Sequence, residues 1–180
     1  ADLFPDQEED KMLDERFDYV MNMLYDGSCV PYYYESRIQN TSCTIGMYVD
    51  RFQAYSRDED LIKASRMADW LIGFAQAEDG AYMNGGTKYT SVIYVAKSIL
   101  ELSIAEMQHW NATGEPSWKE AAQRHFNSAR RAIEQLVAAD GDFQTEGEMT
   151  FEDGMVSCSA LQIGMLALML PESSQERKDL

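Results

Sequence analysis

The run VIYVAKSILELSIAEM, Val92–Met107, decides how this chain folds. Its apolar residues fall almost all the way round a helix. A surface helix carries one apolar stripe, whereas a helix of this kind must be covered on most sides. CSALQIGMLALML, Cys158–Leu170, reads the same way, and Cys43–Tyr55 is a third segment of this class.

Three segments of a different type flank them. From Glu8 to Tyr25, Leu13, Phe17, Val20, Met21 and Leu24 recur at helical spacing, behind an Asp6-x-x-Glu9 start. From Glu59 to Gln76, Ala64, Met67, Ala68, Leu71, Ile72 and Ala75 form one stripe, with Asp58 as the expected N-cap. From Trp118 to Ala138 the stripe is Trp118, Ala122, Phe126, Ala129, Ile133 and Val137, opened by Pro116 and a Ser117-x-x-Glu120 box. All three have a charged opposite face. Amphipathic helices alternating with buried ones predict an inner layer wrapped by an outer layer.

The connections repeat as well. Asp26-Gly27, Asp79-Gly80 and Asp140-Gly141 each follow an outer-type helix and open a long loop rich in Gly, aromatic and polar residues. One Asp-Gly is a common turn; three at matched places read as an internal repeat. The expectation is a single all-α domain over residues 1–180, three αα-hairpins forming an arc, with the long loops on one face. An arc leaves inner-helix surface uncovered, and the tail PESSQERKDL reads as the start of another outer helix. A half toroid belonging to a longer protein follows; self-association is the expectation if the natural chain stops at Leu180.

At 180 residues and 45% hydrophobic, the chain can bury one real core. Its net charge of −16 argues against a nucleic-acid partner, since phosphate contacts need Lys/Arg clusters. It also argues against adhesion to anionic membranes, and no apolar run is long enough for a membrane span. Cys29, Cys43 and Cys158 are odd in number without CxxC spacing, so free thiols are expected, with a Cys29–Cys43 bridge as the simple alternative. The two histidines, His109 and His125, have no i,i+4 partner for zinc and read as helix-surface or cap residues. Neither a calcium-loop pattern nor P-loop spacing is present, so no metal or cofactor is expected. The compartment is not legible.

The order of helix, Asp-Gly loop and buried helix resembles the (α/α)6 toroid, or six-hairpin, glycosidases and polysaccharide lyases. GAYMNGGTKYTSVIYVAKSILEL and QTEGEMTFEDGMVSCSALQIGMLAL are most similar to bacterial relatives of uronic-acid-specific glycosidases. The resemblance implies a carbohydrate bound where the long loops converge, and hydrolysis by paired acidic residues.

TEGEMTFEDG, Thr145–Gly154, supplies the carboxylates. If extended, it puts Glu146, Glu148 and Glu152 on one face, neighbours about 6.5–7 Å apart, while Asp153 points away. An inverting glycosidase sets its carboxyl groups roughly 6.5–9.5 Å apart, with room for water between them. Crowded like charges raise at least one pKa, as a general acid requires. A solvated acidic loop explains the same residues equally simply. The first loop offers Tyr32, Tyr33, Tyr34, Glu35 and Arg37; the second offers Tyr82, Asn84, Lys88 and Tyr89. Aromatic faces stack on sugar rings, and Arg37 and Lys88 are the cations expected to meet a uronate. The competing reading is a noncatalytic helical repeat module that binds a protein or glycan through its loop face.

Overall fold

The computed structural model describes residues 7–24, 37–84, 87–88, 92–134, 164–165 and 167–179. Helix dominates, as the periodicity predicts. The helices are α1 (Gln7–Leu24), α2 (Arg37–Tyr55), α3 (Asp58–Trp70), α4 (Val92–Thr113), α5 (Pro116–Glu134) and the short α6 (Gln175–Asp179). The connection before α4 holds an antiparallel pair, β1 (Met83–Asn84) and β2 (Thr87–Lys88), with Met83 opposite Lys88.

Burial separates two classes of helix. On α4, Val95, Ala96, Ser98, Ile99, Leu100, Leu102, Ser103, Ala105 and Glu106 are all buried, covering most of its circumference. On α2, Ile38, Thr41, Ser42, Thr44, Ile45, Tyr48 and Val49 are buried, but Gln39, Cys43, Met47 and Asp50 form an exposed stripe. Cys43 is a free thiol; Cys29 and Cys158 lie outside the described residues. On α3 and α5 one broad face is buried and the other is charged. α2 packs against α3 and α4, and α4 packs most extensively against α5.

Contacts fix the directions. Phe17 on α1 meets Tyr48 on α2, and Asp18 pairs with Arg51 while the earlier Asp14 also reaches the later Arg57, so α1 runs antiparallel to α2. Phe52 near the end of α2 meets His109 near the end of α4, so these two are parallel. Asp69 meets Arg124 and His125, while Gln76 meets Ser128, so α3 and α5 are parallel to each other. Thus α1, α3 and α5 run one way and α2 and α4 the other. The connections 25–36 and 76–91 both begin and finish at one end, and the chain beyond Glu134 leaves from that end.

The opposite end is closed by two-residue joins. Ser56-Arg57 links α2 to α3, and Gly114-Glu115 links α4 to α5. Each begins with a residue of left-handed backbone, Ser56 at φ 55 and Gly114 at φ 75. The Ser56 N–H donates to Phe52 O at 2.7 Å, and the Gly114 N–H to Trp110 O at 2.7 Å. Both are helix stops in which the left-handed residue turns the chain back. Arg57, not Asp58, is the residue that flanks α3; Asp58, Glu59 and Asp60 fill its first turn, where they suit the positive end of the helix dipole. Similarly, α5 begins at Pro116, which puts Ser117 inside the first turn.

Left-handed backbone costs an L-residue with a Cβ roughly 1–2 kcal/mol, and glycine avoids that cost while losing more entropy on folding. Ser56→Gly should therefore stabilise the protein by about 0.5–1 kcal/mol, and Gly114→Ala should destabilise it by about 1 kcal/mol. Urea midpoints of the two variants check this, with opposite signs expected.

Candidate functional site

The end where the long connections gather is organised by the turn after α3. Helix α3 runs into a π turn, Leu71–Ala75, closed by Gln76 N–H to Leu71 O at 3.0 Å. The wider turn carries Phe74 outward, 72% exposed, with its ring stacked on Trp70. After it the chain reverses at Asp79-Gly80: Gly80 N–H donates to Ala77 O, Ala77 N–H to Ala81 O, and Ala81 N–H to the Asp79 side chain. Gly80 has φ 95, and a Cβ there would lie 2.6 Å from the Arg131 carbonyl oxygen. The turn therefore sits directly on the backbone of α5.

Side chains lock it there. Gln76 Nε2 donates to Gly80 O and to Ser128 O, both at 3.0 Å. Ser128 Oγ donates to Gln76 Oε1 at 2.7 Å, which leaves it to accept from the Tyr82 hydroxyl at 3.1 Å. Arg131 also donates to Gln76 Oε1. Tyr82, one of the residues the second loop supplies, is fully buried, and burial pushes its phenol well above the ordinary range. It belongs to the core cluster, its backbone bridged to Gln76 and its hydroxyl on Ser128.

The other expected site residues divide. The backbone puts Arg37 at the first position of α2 and Lys88 in β2, both at the connection end. Glu146, Glu148, Glu152, Asp153, Tyr32, Tyr33, Tyr34 and Tyr89 lie outside the described residues. Among the described residues no group of three His, Cys, Asp or Glu side chains is arranged to hold a metal ion. No described helix is long and apolar enough to cross a membrane.

Two ionic clusters were not foreseen. In the first, Arg51 on α2 contacts Asp14 and Asp18 on α1 at 2.8 Å and Asp60 on α3 at 3.5 Å. Its guanidinium lies 4.6 Å from the Phe17 ring centroid, a cation–π contact. Arg57 joins by pairing with Asp14. Arg51 Nε and Asp60 Oδ2 form no aligned hydrogen bond, so that contact is an ion pair only. Burial pushes the Asp60 carboxyl up, while Arg51 and Lys63 pull it back.

The second cluster crosses α3, α4 and α5. His125, assigned by sequence to a surface or cap, is 0% exposed. Its Nδ1 lies 2.7 Å from Glu106 Oε2, also 0% exposed, and its Nε2 lies 3.2 Å from Asp69 Oδ1. Arg124 makes a bidentate pair with Asp69 at 2.7 and 3.1 Å. His109 is partly buried, its ring set edge-on to Phe52 and Trp118. A signal for His125 does exist in the sequence: Ala121, His125, Ser128 and Ala132 make a second stripe beside the apolar one, and all four are buried. Its partners are 19 and 56 residues away, beyond any local pattern.

Burial alone would raise Asp69, but hydrogen bonds from His125 and Arg124 hold it down to about 2. For His125 burial acts downward, and the bonds to Asp69 and Glu106 outweigh it, so its value lies above the usual 6.5.

Comparison of the chain with protein-family models, with curated proteins and with solved structures finds no match.

Two outcomes follow. Gly80→Ala should destabilise the protein by about 2 kcal/mol or more, because the added methyl meets rigid backbone at unfavourable φ; urea denaturation measures it. Asp69 contributes its full stability above pH 3.8 and loses it as pH falls toward about 2. Acid unfolding followed by circular dichroism should therefore be shallower in Asp69→Asn than in the parent over that range.

Proposed function

We propose that the connection end of this helical framework binds a saccharide and hydrolyses a glycosidic bond, and that the three helix pairs belong to an arc of (α/α)-toroid hairpins. One observation supports the reading. Parallel α1, α3 and α5, opposed by α2 and α4, bring the connections 25–36 and 76–91 and the exit toward 135–163 to the same end. These are the segments whose sequences hold the tyrosines, the cations and the acidic run.

In this reading Glu146, Glu148, Glu152 and Asp153 are the acid/base candidates. One carboxylic acid protonates the glycosidic oxygen as the bond to the anomeric carbon breaks. A second carboxylate takes a proton from the attacking water. Tyr32, Tyr33, Tyr34 and Tyr89 offer ring faces to the sugar, and Arg37 and Lys88 pair with the carboxylate of a uronic acid. The rigid elements that support such a site are α2, α4 and the turn clamped onto α5 through Gln76, Ser128 and Arg131.

Aryl uronides and neutral aryl glycosides test the proposal. Expected is turnover of at least one, lost by about 10²–10⁴-fold in one or more of Glu146→Gln, Glu148→Gln, Glu152→Gln and Asp153→Asn, with melting temperatures unchanged. Arg37→Ala or Lys88→Ala should raise KM for uronides more than for neutral glycosides. Saccharide binding without turnover would replace the hydrolase with a noncatalytic binding module, and neither binding nor turnover would overturn the reading.

A further inference from the structure

Both ring nitrogens of His125 face carboxylate oxygens, Glu106 Oε2 at 2.7 Å and Asp69 Oδ1 at 3.2 Å. An ionised carboxylate only accepts, so each contact is a hydrogen bond only if that nitrogen carries hydrogen. Neutral imidazole has one N–H and imidazolium has two. With both carboxylates ionised, the geometry therefore requires the imidazolium.

The charges agree. The groups facing the ring are Asp69 from α3, Glu106 from α4 and Arg124 beside it on α5, with Glu120 acting on Arg124. With the imidazolium, Asp69, Glu106, Arg124 and His125 sum to zero. Without it a charge of −1 remains, and a ring lone pair faces an oxygen at close range. Glu106 is poorly placed to absorb this, because it is fully buried and its Oε1 has no hydrogen-bond partner among the described residues.

We propose that the α3–α4–α5 junction is a proton-dependent clamp, closed while His125 is an imidazolium and loosened when that proton leaves. The consequence reaches the connection end, because α5 also carries Ser128 and Arg131, which hold Gln76 and the Gly80 turn. Loosening α5 frees the Gln76–Gly80 turn from its seat. This inference does not depend on the saccharide reading.

A group whose folded value lies above its unfolded one gives full stability below the unfolded value and loses it as pH rises through the folded one. For His125 the loss therefore starts above the ordinary 6.5 and finishes at the raised value. Between them the opening equilibrium should grow by about tenfold per pH unit.

The chain has two histidines, so ring-labelled protein gives two imidazole signals, and His109→Gln leaves that of His125. The expected result is that His125 titrates above 6.5, and that α5 amides lose about tenfold more exchange protection than α2 amides across the same pH range, after correction for intrinsic rates. Glu106→Gln should bring the His125 titration down and remove that pH-linked difference. If Glu106→Gln does not fold, the wild-type titration and exchange data still decide. The clamp is overturned if His125 titrates at or below 6.5, if α5 and α2 lose protection in step, or if folded Glu106→Gln leaves both unchanged.

Discussion

A helix that is apolar over most of its circumference cannot rest against a single neighbour, and α4 is such a helix. Ile99, Leu100 and Leu102 are all fully buried, and each large apolar side chain removed from water contributes roughly 1.5–3 kcal/mol. Covering α4 takes α2 on one flank, α5 on another and α3 at a third. The two-residue joins at Ser56-Arg57 and Gly114-Glu115 then leave little freedom. They force α3 back along α2, and α5 back along α4. Placement of the connections is a by-product of covering one helix.

Among the described residues, the buried charged groups Asp60, Glu106 and His125 belong to two ionic clusters that share α3. Arg51 ties α1, α2 and α3 through Asp14, Asp18 and Asp60; His125 ties α3, α4 and α5 through Asp69 and Glu106. Buried ion pairs contribute little net stability, because desolvation offsets their attraction, but breaking one partner strands the other charge. Their effect here is on arrangement. A shifted or rotated α5 would still bury its alanines, yet it would leave Glu106 uncompensated.

The connection end shows how a framework of this kind supports a site. Gln76, at the end of the π turn, uses both ends of its amide on α5 and on the reversal at Gly80. Tyr82 anchors from below through Ser128. The start of the connection is thereby fixed to two helices before the hairpin that carries Lys88. Phe74, pushed outward by the same π turn, presents an exposed ring on the outer side.

Sequence periodicity alone determined the helical class, the positions of α1, α3, α4 and α5, and the contrast between the broadly buried α4 and the one-sided α3 and α5. That is possible because burial imposes a 3.6-residue rhythm that survives in one dimension. Helix α2 was legible only from Cys43 onward, since Asn40, Thr41 and Ser42 hide its first turns behind polar side chains, although Thr41 and Ser42 are buried. Of the second loop's residues, Tyr82 belongs to the core, which its place in a polar, glycine-rich stretch does not reveal. What only the tertiary structure decided is where the charges go. His125, Glu106 and Asp69 come from three helices and up to 56 residues apart, and a residue's partner across such a distance depends on packing rather than on any local pattern.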